Sequence, residues 1–84
     1  MKSKITSVEA HDGDFEVLDI EFENRNIIML SLESRLTDPL FAEIIREQLL
    51  PQTDGNRVYW QNGASLTLEE ISNILRTDFL KKIK

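Results

Sequence analysis

Three groups of residues have types and spacing that could do chemistry, and a fourth has types that could bind. Asp12-Gly13-Asp14 with Glu16 crowds carboxylates as a calcium loop does. Counted from Asp12, Glu23 stands at the twelfth position, as an EF-hand requires, but Val17 occupies the sixth, where glycine makes the sharp turn. The segment also alternates like a strand, so a charged hairpin fits better than a metal site. Gly63-Ala64-Ser65-Leu66-Thr67 lies between a strand and a helix, as a nucleophile elbow would. Thr67 replaces the second glycine, and the single histidine, His11, lies upstream in a predicted turn. Without a base, the Ser65 hydroxyl is a weak nucleophile. Glu69 and Glu70 diverge by about 100° on a helix and cannot share a proton. No catalytic residue, metal or cofactor is therefore expected, and a non-enzymatic role follows.

The binding candidates are Arg57, Tyr59, Trp60 and Asn62. Arg, Tyr and Trp combine large apolar area with a polar handle, which is why they dominate binding hot spots. In a strand, Arg57 and Tyr59 share one face while Val58 and Trp60 share the other. Trp60 suits a core position with its N–H satisfied locally better than a surface one, and Arg57 and Tyr59 are left for a partner. Lys81, Lys82 and Lys84 could form a partner-binding tail, but lysines after a helix also complement its negative end.

The elements that must position these residues follow from periodicity. Residues 4–9 read as a first strand, 11–14 as a turn and 15–23 as a second strand. In that second strand Leu18, Ile20 and Phe22 point to one side, and Asp19, Glu21 and Glu23 to the other. Residues 27–32 form a third strand, so apolar that a central position or cover on both sides is expected. Asp38-Pro39 caps a helix whose apolar face is Leu40, Phe41, Ile44, Ile45 and Leu49, ended by Pro51. After a loop at 53–56 comes a short strand, 58–60. Asn62-Gly63 is the preferred pair for a type I′ turn, bringing 64–66 back against it. Thr67 and Glu70 make a capping box for a last helix, with Leu68, Ile71, Ile74 and Leu75 on its apolar face. Thr77-Asp78 is a possible interruption, beyond which Phe79 and Ile83 continue the stripe. The expected fold is α+β: an antiparallel three-stranded meander, a helix, a short strand or hairpin, and a C-terminal helix, β-β-β-α-β-(β)-α, with helices on one face of a small sheet.

Eighty-four residues make a single domain, 1–84, burying only about 60–65% of the surface its unfolded chain exposes. No apolar run approaches the roughly 20 residues of a membrane span, and basic Met1-Lys2-Ser3-Lys4 has no apolar stretch behind it, so neither a membrane segment nor a signal peptide is expected. The absence of cysteine removes disulfides and thiolate chemistry and suits a reducing cytoplasm. Net charge is −5, with fifteen acids against ten bases. Seven acids (Glu9, Asp12, Asp14, Glu16, Asp19, Glu21, Glu23) fall within residues 9–23, a window without Lys or Arg. Such a surface repels a phosphate backbone, so direct nucleic-acid binding is not expected.

Asp54-Gly55 followed by Val58, Trp60, Asn62-Gly63-Ala64 and Leu66, then Leu68 and Ile71, resembles the C-terminal signature of a small bacterial and phage family, domain of unknown function 2442. Leu36 with Asp38-Pro39-Leu40-Phe41 resembles its helix start, and Leu18-Asp19-Ile20-Glu21-Phe22 its meander, so the likeness covers roughly residues 8–75. Gln61 departs from the Pro that members often carry after the Trp, a position the hairpin does not need as Pro. Members are found alone, fused to helix-turn-helix domains, or beside partner genes in arrangements like toxin–antitoxin pairs. The resemblance implies an interaction or regulatory module. A protein partner would bind through a sheet edge or the Arg57–Tyr59 face, and an exposed edge of the meander could instead pair with its twin, since marginal domains gain stability by dimerising. The alternatives are a transcription-related domain acting through an associated DNA-binding partner and, more weakly, a small-ligand or metal-binding domain.

Overall fold

The computed structural model describes residues 3–82, with side chains through Thr77. The lysines at 81, 82 and 84 and the stripe positions Phe79 and Ile83 lie outside the residues whose side chains are described. The chain folds as α+β, in the expected order. An antiparallel meander is built from β1 (Ile5–His11), β2 (Asp14–Phe22) and β3 (Ile27–Ser31), in the order β1-β2-β3. A single 3-10 turn (Glu33–Arg35) leads to α1 (Pro39–Glu47). A second antiparallel sheet follows, β4 (Gln52–Thr53), β5 (Arg57–Tyr59) and β6 (Ser65–Thr67), before α2 (Leu68–Lys82). The sheets meet where Ile5 N–H donates to Gly55 O at 2.9 Å.

The expected alternation in β2 holds. Leu18, Ile20 and Phe22 are buried, and they pack with Leu30 and Leu32 against Phe41 and Ile44 of α1 and Ile71 and Ile74 of α2. Val58, Trp60, Ala64 and Leu66 join the second sheet to the same core. Each fully buried Leu or Ile contributes about 1.5–3 kcal/mol. Both helices begin as the sequence indicates. Asp38 Oδ1 accepts from Leu40 N–H at 2.9 Å with Pro39 at the first position. Thr67 and Glu70 exchange hydrogen bonds of 2.9 and 3.1 Å, the reciprocal pattern of a capping box. Gln48 takes the left-handed conformation that ends α1 ahead of Pro51.

Four features depart from expectation. First, β3 is an edge strand. Its apolar run is not covered on both sides: Ile28 and Leu30 face inward, whereas Ile27 and Met29 are 65% and 59% exposed. A continuous apolar run cannot say which of its two faces is buried. Second, the type I′ turn belongs to Asp12-Gly13, with φ of 49° and 80° and His11 paired to Asp14. Asn62-Gly63 instead sits in a three-residue loop, where only Gly63 is left-handed (φ 95°). There Gly63 N–H donates to Trp60 O and Trp60 N–H to Ala64 O, a type I turn with a bulge. The β2–β3 loop repeats this geometry: Arg25 N–H donates to Phe22 O, Phe22 N–H to Asn26 O, and Arg25 holds φ 73°. Third, Gln52–Thr53 pairs with Tyr59 and Val58, although two residues are too few for a periodic signal. Fourth, α2 runs through Thr77-Asp78 without interruption, the Thr77 hydroxyl donating to Asn73 O at 3.0 Å.

Candidate functional site

The four binding candidates do not come together. Val58 and Trp60 point inward and Arg57 and Tyr59 outward, as alternation requires. Trp60 is only 2% exposed and meets Phe41 edge-to-face, with centroids 5.7 Å apart. It is a core residue and offers no surface to a partner. Its indole N–H, expected to be satisfied locally, has no acceptor among the described residues. Asn62 is also committed. Its Nδ2 donates to Leu40 O (2.9 Å) and Glu43 Oε1 (2.8 Å), and its Oδ1 accepts from Ala64 N–H (3.1 Å). Asn62 thus ties the β5–β6 loop to α1. This is also why Asn62-Gly63 forms no type I′ turn: Asn62 stays out of the left-handed region and its side chain closes the loop.

Arg57 and Tyr59 remain on the surface of the second sheet. The Arg57 guanidinium carbon lies 5.0 Å from the Tyr59 ring centroid, a cation–π stack. Arg57 Nε also donates to Asp54 Oδ2 at 3.2 Å. The Asn56 backbone N–H, followed by Arg57, holds the Asp54 carboxyl below its ordinary range against slight desolvation. The guanidinium therefore already has a carboxylate and an aromatic face, so a ligand would have to compete with both.

Acids of the window stand on the outer face of β1 and β2. Glu9 stands opposite Asp19, and Ser7 opposite Glu21. His11 Nδ1 lies 2.8 Å from Asp19 Oδ2. That hydrogen bond, opposed by desolvation and aided by the charges of Asp19, Asp12 and Asp14, raises the imidazole pKa above its ordinary 6.5. No three His, Asp or Glu side chains converge as a metal site among the described residues. An open depression of about 480 Å³ is lined by Glu43, Glu47, Leu49, Gln61 and Asn62. Its carboxylates are engaged, Glu43 with Arg46 and Asn62, and Glu47 with Arg46. Ser65 has no histidine near it in sequence or strand register, and Glu70 is used by the cap and by Arg35 at 3.6 Å.

A sheet edge is the other binding surface expected from the sequence, and in the meander the free edge is that of β3. Phe22 N–H donates to Asn26 O and Leu32 N–H to Glu16 O, which fixes the hydrogen-bonded pairs of β2 with β3 at even-numbered residues. Ile28 and Leu30 therefore bond inward to β2, and the backbone N–H and C=O groups of Ile27, Met29 and Ser31 point outward. No described strand pairs with them. These are also the residues whose side chains stand on the outer face. Edges are usually blunted by lysine, proline or bulges. β3 has none of these, and its register with β2 is unbroken. The opposite edge, β1, carries two register irregularities and meets the second sheet through Ile5. The sequence signal was the alternation Ile27, Met29, Ser31 against Ile28, Leu30, Leu32, which acquires a direction only once Leu30 is paired to Leu18.

Compared with protein-family models, curated proteins and solved structures, the chain matches none. Among the described residues, no helix is long and apolar enough to cross a membrane.

Proposed function

We propose that this protein is a non-enzymatic protein-interaction module that works by strand addition at the outer edge of β3. The single observation that carries this reading is the coincidence of unpaired backbone and exposed apolar side chains at Ile27 and Met29. A partner strand would satisfy the outward amides, each hydrogen bond contributing a net of about 0.5–1.5 kcal/mol. It would also cover two side chains, each worth about 1.5–3 kcal/mol when fully buried. Both terms act in the same place, so binding energy concentrates along one short line. The cytoplasm suits a cysteine-free chain of this kind. The resemblance to domain of unknown function 2442 in the β5–α2 segment points towards the same class, the regulatory or antitoxin-like half of a pair.

Backbone NMR of the labelled protein in an extract of its own host tests the reading. Strand addition shifts or broadens the amides of Ile27, Met29 and Ser31 first, leaving Arg57 and Tyr59 little changed. Perturbation centred on Arg57 and Tyr59 instead, with β3 silent, would move the interface to the second sheet.

A further inference from the structure

We propose that the strand added to β3 is β3 of a second copy, giving a two-fold symmetric dimer with one continuous six-stranded sheet. The inference rests on the strand-addition reading and names its partner. An antiparallel pair related by a two-fold axis must match hydrogen-bonding residues with their own kind. Centring the axis on Met29 does this for the whole strand. Met29 opposes Met29, and Ile27 opposes Ser31, so three bonded pairs supply about six backbone hydrogen bonds. Any other register loses at least one bonded pair.

The side chains match in the same register. On the outer face the exposed Ile27 and Met29 of each copy merge into one apolar band. On the inner face half-buried Ile28 comes opposite Leu30, which its own core already covers, so the apolar gain lies in the outer band. The short, unbulged edge is thus self-complementary in its backbone register and in its exposed apolar side chains.

Net charge argues against self-association only weakly. Asp19 and Glu21 lie on β2, so their counterparts across the seam are three strand spacings away, roughly 14 Å. This exceeds the Debye length of about 8 Å at physiological salt. A basic peptide would lie over the acidic face of β1 and β2 and would leave the outward amides of β3 and the exposed Ile27 and Met29 uncovered. Five residues a side bury less than the roughly 1,200 Å² of a durable interface, so the dimer is a weak one.

Sedimentation equilibrium of the purified chain from about 1 to 500 µM reads this directly. The expected result is a monomer–dimer equilibrium, abolished by Met29→Lys at an exposed position. Ile27→Lys, at a second exposed position of the same edge, should abolish it as well, and Met29→Leu should keep it. If Met29→Lys fails to fold, Ile27→Lys still decides. A monomer at every concentration, or a dimer that persists unchanged in either folded lysine variant, overturns the second copy as partner. If the chain stays monomeric while host extract perturbs Ile27, Met29 and Ser31, strand addition survives and the partner is another protein. If neither occurs, both readings fall.

Discussion

At the scale of single residues, His11 and Asn62 illustrate how a side chain picked out for chemistry is absorbed by structure. His11 has no nucleophile to serve, and its ring hydrogen-bonds to Asp19 across the hairpin. Because its folded pKa is raised above 6.5, the pair stabilises fully below about that pH and fades as pH rises through the folded value. The thermal midpoint of the wild type should therefore exceed that of Asp19→Asn most near pH 6, the gap narrowing towards pH 8. A gap independent of pH over this window would show that the imidazole contributes nothing through its charge. Asn62 was chosen as a contact for a partner, but it makes three hydrogen bonds inside the molecule. Asn62→Ala should cost about 1–2 kcal/mol in urea denaturation, since it frees the loop from α1 and leaves Ala64 N–H without its acceptor. A loss under a few tenths of a kcal/mol would mean that water replaces these bonds without penalty. Trp60 shows the limit of reasoning from residue type. Alternation placed it in the core correctly, but no sequence pattern reveals whether a buried indole N–H finds an acceptor.

At the scale of elements, helix ends and the alternating strand were legible because their causes are local. Asp38-Pro39 and Thr67…Glu70 satisfy backbone donors within three residues, and β2 declares its faces by placing Asp19 and Glu21 between Leu18, Ile20 and Phe22. What was not legible depends on partners distant in sequence. β4 exists only because β5 is there to pair with it, and the edge position of β3 is set by β2 pairing with β1 on its other side. Turn types fall between the two. Asp12-Gly13 and Asn62-Gly63 both invite a type I′ turn, and the tether from Asn62 to α1 selects another geometry for the second. The β2–β3 loop repeats that geometry with Arg25 in the left-handed region. Its strain, about 1–2 kcal/mol for a residue with a Cβ, exceeds the roughly 0.5–1 kcal/mol of extra unfolded-state entropy that glycine brings. Arg25→Gly should therefore stabilise the protein by about 0.5 kcal/mol, which chemical denaturation can read. Destabilisation by the same substitution would show that the Arg25 side chain supports the monomer.

At the scale of the whole molecule, one core links two small sheets and two helices, while the outer face of the meander, acidic on β1 and β2 and apolar on β3, is left to water. That division explains why function was harder to read than fold. The expected binding face at Arg57 and Tyr59 is present, but its guanidinium is held by Asp54 and stacked on Tyr59. The open edge lies on the other sheet, in residues that looked like core. Ile27 and Met29 belong to a run apolar enough to suggest a central strand or one covered on both sides, and only the completed sheet leaves them outside. Residue-resolved amide exchange tests the edge most directly, on dilute protein, on concentrated protein and in host extract. The account predicts that Ile28 and Leu30 are protected throughout, while Ile27, Met29 and Ser31 exchange freely when dilute and slow once the edge is occupied. Equal protection of all five amides in dilute protein, or free exchange of the odd-numbered three under every condition, would contradict it.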